Sequence, residues 1–259
     1  DDLTSNSKDI AIFQNIVRSF YHTHKRDALV WRMTDDHYRI VVSEIMLQQT
    51  QVERVIPYYK KWIEIFPDFK SVASASNQDV LSVWMGLGYN RRCLHLKKLC
   101  EVIYHEHNGI IPRSYDELIK LPGIGDYTAN ALLAFLFDHP SACVETNIKT
   151  VFIHHCSFDG SIEKKHIKEL AQKTVDDQNP RHWYYALMDY GTWIKKNIGN
   201  NIHKEASYKK QSKFIGSTRQ LRAEIVRHLL QSKENITYEA LRLLYKEKLD
   251  MFDNVVESL

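Results

Sequence analysis

Glu44 is the only charged residue in "VVSEIMLQQT". A glutamate in so apolar a setting is either a half-exposed helix residue or a buried acid, and burial raises a carboxyl pKa by disfavouring the charged form. A second stretch, "LPGIGDYTAN" at residues 121–130, places a proline and two glycines just ahead of a helix-like run. Gly123 and Gly125 can take positive φ and leave no side chain in the way of a ligand. The N–H groups opening the next helix form an anion site, so a phosphate can rest there without a lysine. The competing reading is a tight helix–helix turn with no ligand, in which Thr128 is only a hydrophilic first-turn residue.

These groups need a scaffold, and the pattern around them is helical. Apolar residues recur at three- and four-residue steps: "IAIFQNIVRSFYHTH" puts Ile10, Phe13, Ile16, Val17 and Phe20 on one stripe. "RIVVSEIMLQQTQVERVIPYYKKWIEIF" reads as one or two helices, with Pro57 breaking it or starting the second. Ser76 or Asn77 caps "SASNQDVLSVWMGL", and Ser114 stands three residues before Glu117, the spacing of a capping box. "RRCLHLKKLCEVIYHEH" is amphipathic and ends before Gly109, while "YTANALLAFLF" is almost wholly apolar and predicts a buried helix. No segment shows a convincing period-two pattern. The fold class is therefore all-α, with about ten short helices.

The 259 residues suffice for one large or two modest domains, and 44% apolar with 26% charged residues is ordinary for a soluble globular protein. A net charge of +3 is compatible with nucleic acid without requiring it. The four cysteines, Cys93, Cys100, Cys143 and Cys156, form no C-x-x-C pair and predict reduced thiols in the cytoplasm. No apolar run approaches a membrane span, and the opening "DDLTSNSKDIAIF" has no secretory pattern. "NIHKEASYKKQSKFIGSTRQ" reads as a polar, basic connector, and residues 214–259 as an appendage with a small core of its own, either touching a partner or DNA or packing on the main body.

Over roughly residues 10–195 the chain resembles the helix–hairpin–helix DNA glycosylase superfamily that includes endonuclease III and the adenine DNA glycosylases. The resemblance is carried by "LPGIGDYTAN", by "VWRMTDDHYRIVVSEIMLQQTQVERVIPYYKKWIEIFPDF" and by "WMGLGYNRR", the last two similar to the adenine-specific branch. It implies two helical subdomains, residues 31–137 carrying the hairpin and residues 1–30 with 138–213 forming the other, with a DNA-binding cleft between them. It implies a monomer acting on double-stranded DNA with a mismatched or damaged base, near the chromosomal DNA. It also implies that the hairpin grips the DNA backbone and that the carbonyls of Ile119, Leu121 and Ile124 hold Na+ or K+.

Excising a base breaks a bond between sugar C1′ and a base nitrogen after the base has been flipped from the stack. An acid must improve the leaving group and an anion must steady an oxocarbenium-like sugar, so two carboxylates in different environments are expected. By resemblance, Glu44 is the acid that protonates adenine N7, Gln48 and Gln49 reach into the DNA at the lesion, and Arg32 lies near the adenine pocket. Surface placement is the alternative for Arg32. Tyr89 matches an aromatic that wedges beside the opposing base, or is a core tyrosine. Asn90 follows where a second tyrosine is common, and Arg91 and Arg92 are read as phosphate contacts. Tyr127 occupies the place of a Schiff-base lysine; a phenol cannot form that imine, which implies a water nucleophile and no strand cleavage.

Three departures bear on activity. "CVETNIKTVF" has Glu145 where the family has aspartate, with Asn147 after it to orient the carboxylate or cap a helix. Glu145 either steadies the sugar or is a capping carboxylate in an inactive paralogue, and Asp189 in "LMDYG" is the next carboxylate in line. No cysteine follows Cys156, so no iron–sulfur cluster is expected in "DYGTWIKKNIGNNIHKEASYKK", where packing of Trp193, Ile194 and Ile198 must replace it. No other cofactor is required. A large domain for sensing 8-oxoguanine is not expected in the residues that follow. The expected activity is removal of adenine opposite 8-oxoguanine or guanine. Removal of thymine or uracil opposite guanine, or DNA binding without catalysis, stands as the alternative.

Overall fold

The structure, a computed structural model, describes residues 7–156, 161–206, 208, 213–232 and 235–257. Part of the basic connector, residues 207 and 209–212, therefore lies outside the described residues, as do residues 1–6 of the first subdomain segment. The described residues form helices and short 3-10 turns, with one isolated parallel bridge between Ile162 and Glu205. The helices are α1 (Ser7–His24), α2 (His37–Leu47), α3 (Val52–Ile65), α4 (Phe69–Ser74), α5 (Asn77–Trp84), α6 (Asn90–Glu106), α7 (Tyr115–Leu118), α8 (Asp126–Phe137), α9 (Thr146–His155), α10 (Lys164–Thr174), α11 (Pro180–Asn197), α12 (Thr218–Gln231), α13 (Tyr238–Leu244) and α14 (Leu249–Glu257). Short helices such as α4 and α7 bring the number above the ten or so expected from periodicity.

Local chemistry sets many of the boundaries. Ser76 and Asp79 close a reciprocal capping box on α5, and Asp68 and Ser71 do the same on α4. Ser114 Oγ accepts the Glu117 N–H and starts α7. The break in the long "RIVVSEIML…" run corrects the expectation placed on Pro57. It falls at Gln48–Gln51, where Gln49 turns left-handed at φ 54°, and Pro57 lies inside α3. The reason is long-range. The Arg92 guanidinium donates to the carbonyls of Ile45 (3.1 Å), Met46 (2.9 Å) and Gln48, satisfying the orphan end of α2. Arg92 also reaches Thr50 Oγ1 at 2.9 Å and the Gly88 carbonyl at 3.1 Å, so it is a helix-capping cation rather than a phosphate contact.

Two large cores meet at a shared wall. One holds Trp31, Trp62, Trp84 and the buried faces of α3–α7. The other holds Phe13, Phe152, Trp183 and Tyr184 from α1, α9 and α11. The wall is α2 and α8. Leu132 and Leu133 of α8 face the first core while Ala131, Ala134 and Phe135 face the second, and Ile40 of α2 turns toward the second while Val41 and Val42 join the first. A helix with cores on both sides must be apolar all round, which is why "YTANALLAFLF" has no polar face. A third, small core of Leu221, Ile225, Leu241, Phe252 and Val255 holds α12–α14 together. Helix α12 contacts α5, and Val226, Leu229 and Leu230 line a cavity together with Leu81 of α5 and Leu94 of α6.

Candidate active site

The two wall helices carry the first pair of functional groups. Glu44 of α2 is 7% exposed, and the Tyr127 hydroxyl, from the first turn of α8, donates to its Oε2 at 3.3 Å. Burial raises the Glu44 carboxyl to about 7; repulsion from Glu145 adds to the rise, while the Tyr127 hydrogen bond and Arg32 oppose it. Burial also pushes the Tyr127 phenol well up, so it remains a donor.

Glu145 is the N-cap of α9. Its Oε1 accepts the backbone N–H of Asn147 at 2.8 Å and of Ile148 at 3.0 Å, and its Oε2 accepts Asn147 Nδ2 at 3.2 Å. Capping and proximity to Glu44 thus coexist in one side chain. Burial raises its pKa, against the lowering by the Asn147 N–H, Lys195 and the Ile148 N–H. The Cys143 thiol lies beside both carboxyls, pushed up by burial and then by their charge. Sequence reasoning passed over Cys143 because no metal or redox spacing marks it.

Arg32 is not a surface cation: its side chain is 5% exposed. It donates to both oxygens of Asp189, Nη1 to Oδ2 at 2.8 Å and Nη2 to Oδ1 at 2.9 Å, and stacks 4.4 Å above the Tyr185 ring. Asp189 also accepts Arg26 Nε at 2.7 Å and the Arg26 N–H at 3.0 Å. A carboxylate engaged by two guanidiniums and a backbone amide has no lone pair left for a sugar cation, which removes Asp189 as a reserve catalytic carboxylate.

The hairpin leads into the start of α8. Gly123 sits at φ 76°, and a Cβ there would stand 2.8 Å from His95 Cβ, so both backbone and space demand glycine. Gly125 differs from expectation: at φ −101° it is the extended N-cap of α8. The carbonyl of Leu121 accepts the Ile124 N–H at 3.2 Å, and the side chains of both residues are buried in the first core, while Ile119 packs against it. Asp126, in the first turn, would repel an anion, but Tyr115 (3.0 Å) and Lys168 (2.9 Å) engage its Oδ1. The Lys168 hydrogen bond holds that carboxyl below its ordinary range. Thr128 is an internal residue, neither facing DNA with its hydroxyl nor an exposed hydrophilic one of the first turn. It is 4% exposed and its Oγ1 accepts Gln48 Nε2 at 3.2 Å, leaving its backbone N–H at the helix start. Gln49 is exposed beside it.

Tyr89 stands at φ 52° as the N-cap of α6, 37% exposed, with Arg92 stacked 5.2 Å from its ring centre. Its hydroxyl accepts Arg219 Nη1 at 3.2 Å, which ties the C-terminal unit to this turn, and Arg91 lies exposed beyond Asn90. In the segment where a cluster was not expected, Ile194 is fully buried, but Ile198 is 55% exposed and Trp193 37%, so Ile194 with Ile202 fills the core there rather than all three named residues. Cys93 and Cys100 lie in the first core and Cys143 and Cys156 in the second. Among the described residues no three His, Cys, Asp or Glu side chains converge as a metal site.

The profile of HhH-GPD superfamily base excision DNA repair proteins matches residues 42–177. The chain is 39% identical over 197 residues to an adenine DNA glycosylase of Buchnera aphidicola subsp. Baizongia pistaciae, covering 74% of this chain and 56% of that one. It thus spans little more than half the length of that relative. It is 30% identical over 257 residues to an adenine DNA glycosylase of Mycolicibacterium smegmatis, covering 92% and 88% of the two. The solved structure of a thermostable thymine-DNA glycosylase superposes with a TM-score of 0.66 at 26% identity, over 79% of this chain and 98% of that one. With a buried glutamate on wall helix α2, a second capping α9 and a glycine turn at the start of α8, the chain belongs to the HhH-GPD superfamily of base excision DNA repair proteins.

Proposed function

We propose that the chain is a monofunctional DNA glycosylase that hydrolyses the N-glycosidic bond of a mismatched adenine, opposite 8-oxoguanine or guanine. The observation that carries the reading is Glu44. It is a buried carboxyl raised to about 7, held by a phenol, with a second carboxyl near enough to raise it further. Glu44 holds a proton near neutrality and delivers it to the leaving base. Tyr127 keeps Oε2 and so orients the acid. Glu145, fixed by its cap, faces the electron-poor sugar as the charge develops. Its hydrogen bonds restrain the longer glutamate side chain where the family has aspartate. Water then attacks C1′, because no lysine stands at Tyr127 to form an imine.

The start of α8 receives a backbone phosphate, and Tyr89 enters the duplex beside the opposing base. The carbonyls of Ile119, Leu121 and Ile124 are neutral, hard oxygen donors on one turn, a set suited to Na+ or K+. An iron–sulfur cluster does not fit, since the four cysteines are divided between two cores. The same site has a second reading, excision of thymine or uracil opposite guanine. The likeness to a thymine-DNA glycosylase and the presence of Tyr127 favour it. A panel of duplexes with adenine, thymine or uracil opposite each base, followed by alkaline cleavage, decides. Adenine release alone supports the main reading, thymine or uracil release the second, and no abasic product on any duplex overturns both.

A further inference from the structure

Helix α11 passes close behind the Glu145 cap. Gly191 lies against the backbone of Asn147, where a Cβ would overlap the Asn147 carbonyl, so only glycine allows α9 and α11 to touch there. Lys195 stands one helical turn further along the same face. Its Nζ donates to Asn147 Oδ1 at 2.9 Å, and Asn147 Nδ2 donates in turn to Glu145 Oε2 at 3.2 Å. The amide has a single orientation in this chain of bonds: its oxygen must face the ammonium, which only donates, and its NH₂ the carboxylate, which only accepts. Burial lowers the Lys195 pKa and Glu145 raises it, so the two charges sense each other. The other groups facing Glu145 are Glu44 from α2, Tyr127 from α8 and Cys143 before α9, none of them cationic, and the charge opposing its burial comes from Lys195.

We propose that Lys195 is the positioning residue for Glu145, acting through Asn147 to aim the carboxylate and supplying the counter-charge that keeps it anionic inside the protein. The inference rests on the glycosylase reading for its purpose, but the linkage itself does not need catalysis to be measured. An opposing charge within about 4–6 Å lowers a carboxyl pKa by roughly 1–3 units, and Lys195 stands one amide away from Glu145. Without the lysine, Glu145 holds its proton to higher pH and the acid limb of excision moves up with it. Glu44 is raised in part by the Glu145 charge, so its limb near 7 does not move up with the acid limb.

The test uses the full chain and three substitutions: Lys195→Gln, which keeps a donor without charge, Lys195→Met, which removes both, and Lys195→Arg, which keeps both. Carboxyl 13C NMR, with the Glu145 signal identified by its loss in Glu145→Gln, reads the Glu145 titration. Expected is a midpoint at least about one pH unit higher in Lys195→Gln and Lys195→Met, and near the parent value in Lys195→Arg. Relative to the parent, single-turnover excision should be slowed most on the acid side in the uncharged variants, by up to about ten-fold per pH unit of midpoint shift, and the deficit should close as pH rises, with duplex affinity unchanged. An unmoved Glu145 midpoint in the folded Lys195→Gln protein overturns the inference, as does a loss of rate equal at every pH. If the parent protein excises no base, the glycosylase reading fails while the NMR midpoint still decides the role of Lys195.

Discussion

Glu44→Gln should make the protein inactive and more stable at once. The carboxyl moves from an ordinary 4.5 to about 7 on folding, chiefly because it is buried. A native carboxyl with a raised pKa keeps its proton when the unfolded chain has already lost it. Stability therefore falls as pH rises from the ordinary value to the raised one, then levels off. The gap of about 2.5 units corresponds to about 3 kcal/mol of native-state strain once both states are ionised. Glutamine has no proton to lose and can still accept from Tyr127. Above neutrality the variant should gain up to that amount, a Tm rise of roughly 5–10 °C for a chain of this size, and the gain should vanish toward about pH 4.5. Excision by the parent should fall ten-fold per unit above about pH 7, as the protonated fraction declines. The variant should lose about 10²–10⁴-fold throughout. Thermal melts at several pH values and single-turnover excision on a mismatched duplex read the two effects. A variant no more stable than the parent in mild alkali, or a parent rate flat across neutrality, would refute the argument that burial holds the catalytic proton.

Glu145→Gln keeps an acceptor for the Asn147 and Ile148 amides, so chemical denaturation should place it within about 1 kcal/mol of the parent while excision is lost. Glu145→Asp should also excise poorly, by on the order of 10²-fold, because the shorter carboxylate cannot cap α9 and reach the sugar as the glutamate does. Asp189→Asn leaves Arg26 and Arg32 without their shared anion, one of them buried, and should cost roughly 3–5 kcal/mol in a urea titration. A loss under about 1 kcal/mol would show that the pair anchors little. Gly191→Ala forces α9 and α11 apart at the Asn147 carbonyl, and should cost about 1–3 kcal/mol and slow excision without weakening DNA binding. An unaltered rate would mean that the Asn147 position is not set by this contact.

The parts of this molecule that could be read from its sequence are those whose causes are local. Ser76 and Ser114 announce helix starts because a cap acts over three residues, and "YTANALLAFLF" announces burial because no polar face is left on it. What escaped reading depends on partners far along the chain. The end of α2 is set by Arg92, more than forty residues later, so Pro57 drew attention to the wrong boundary. Thr128 is turned inward by Gln48, 80 residues away, and Asp189 is filled by Arg26 and Arg32, 163 and 157 residues away. Lys195 would have been found only by asking why a glycine and a lysine four residues apart share one face of an otherwise packed helix.

The same distinction explains why the carboxyls differ although both are buried glutamates. Glu44 has one hydrogen-bond donor and an anion for a neighbour, so its neutral form is favoured. Glu145 has three donors from α9, with the charge of Lys195 behind one of them, and these oppose the burial that would neutralise it. Residue type carries none of this, since either glutamate in the other's place would take on the other's chemistry. Helix ends and close helix contacts set the two environments, and the α8–α2 wall with the α9–α11 contact at Gly191 is the part of the fold that keeps the carboxyls chemically distinct while bringing them together in space.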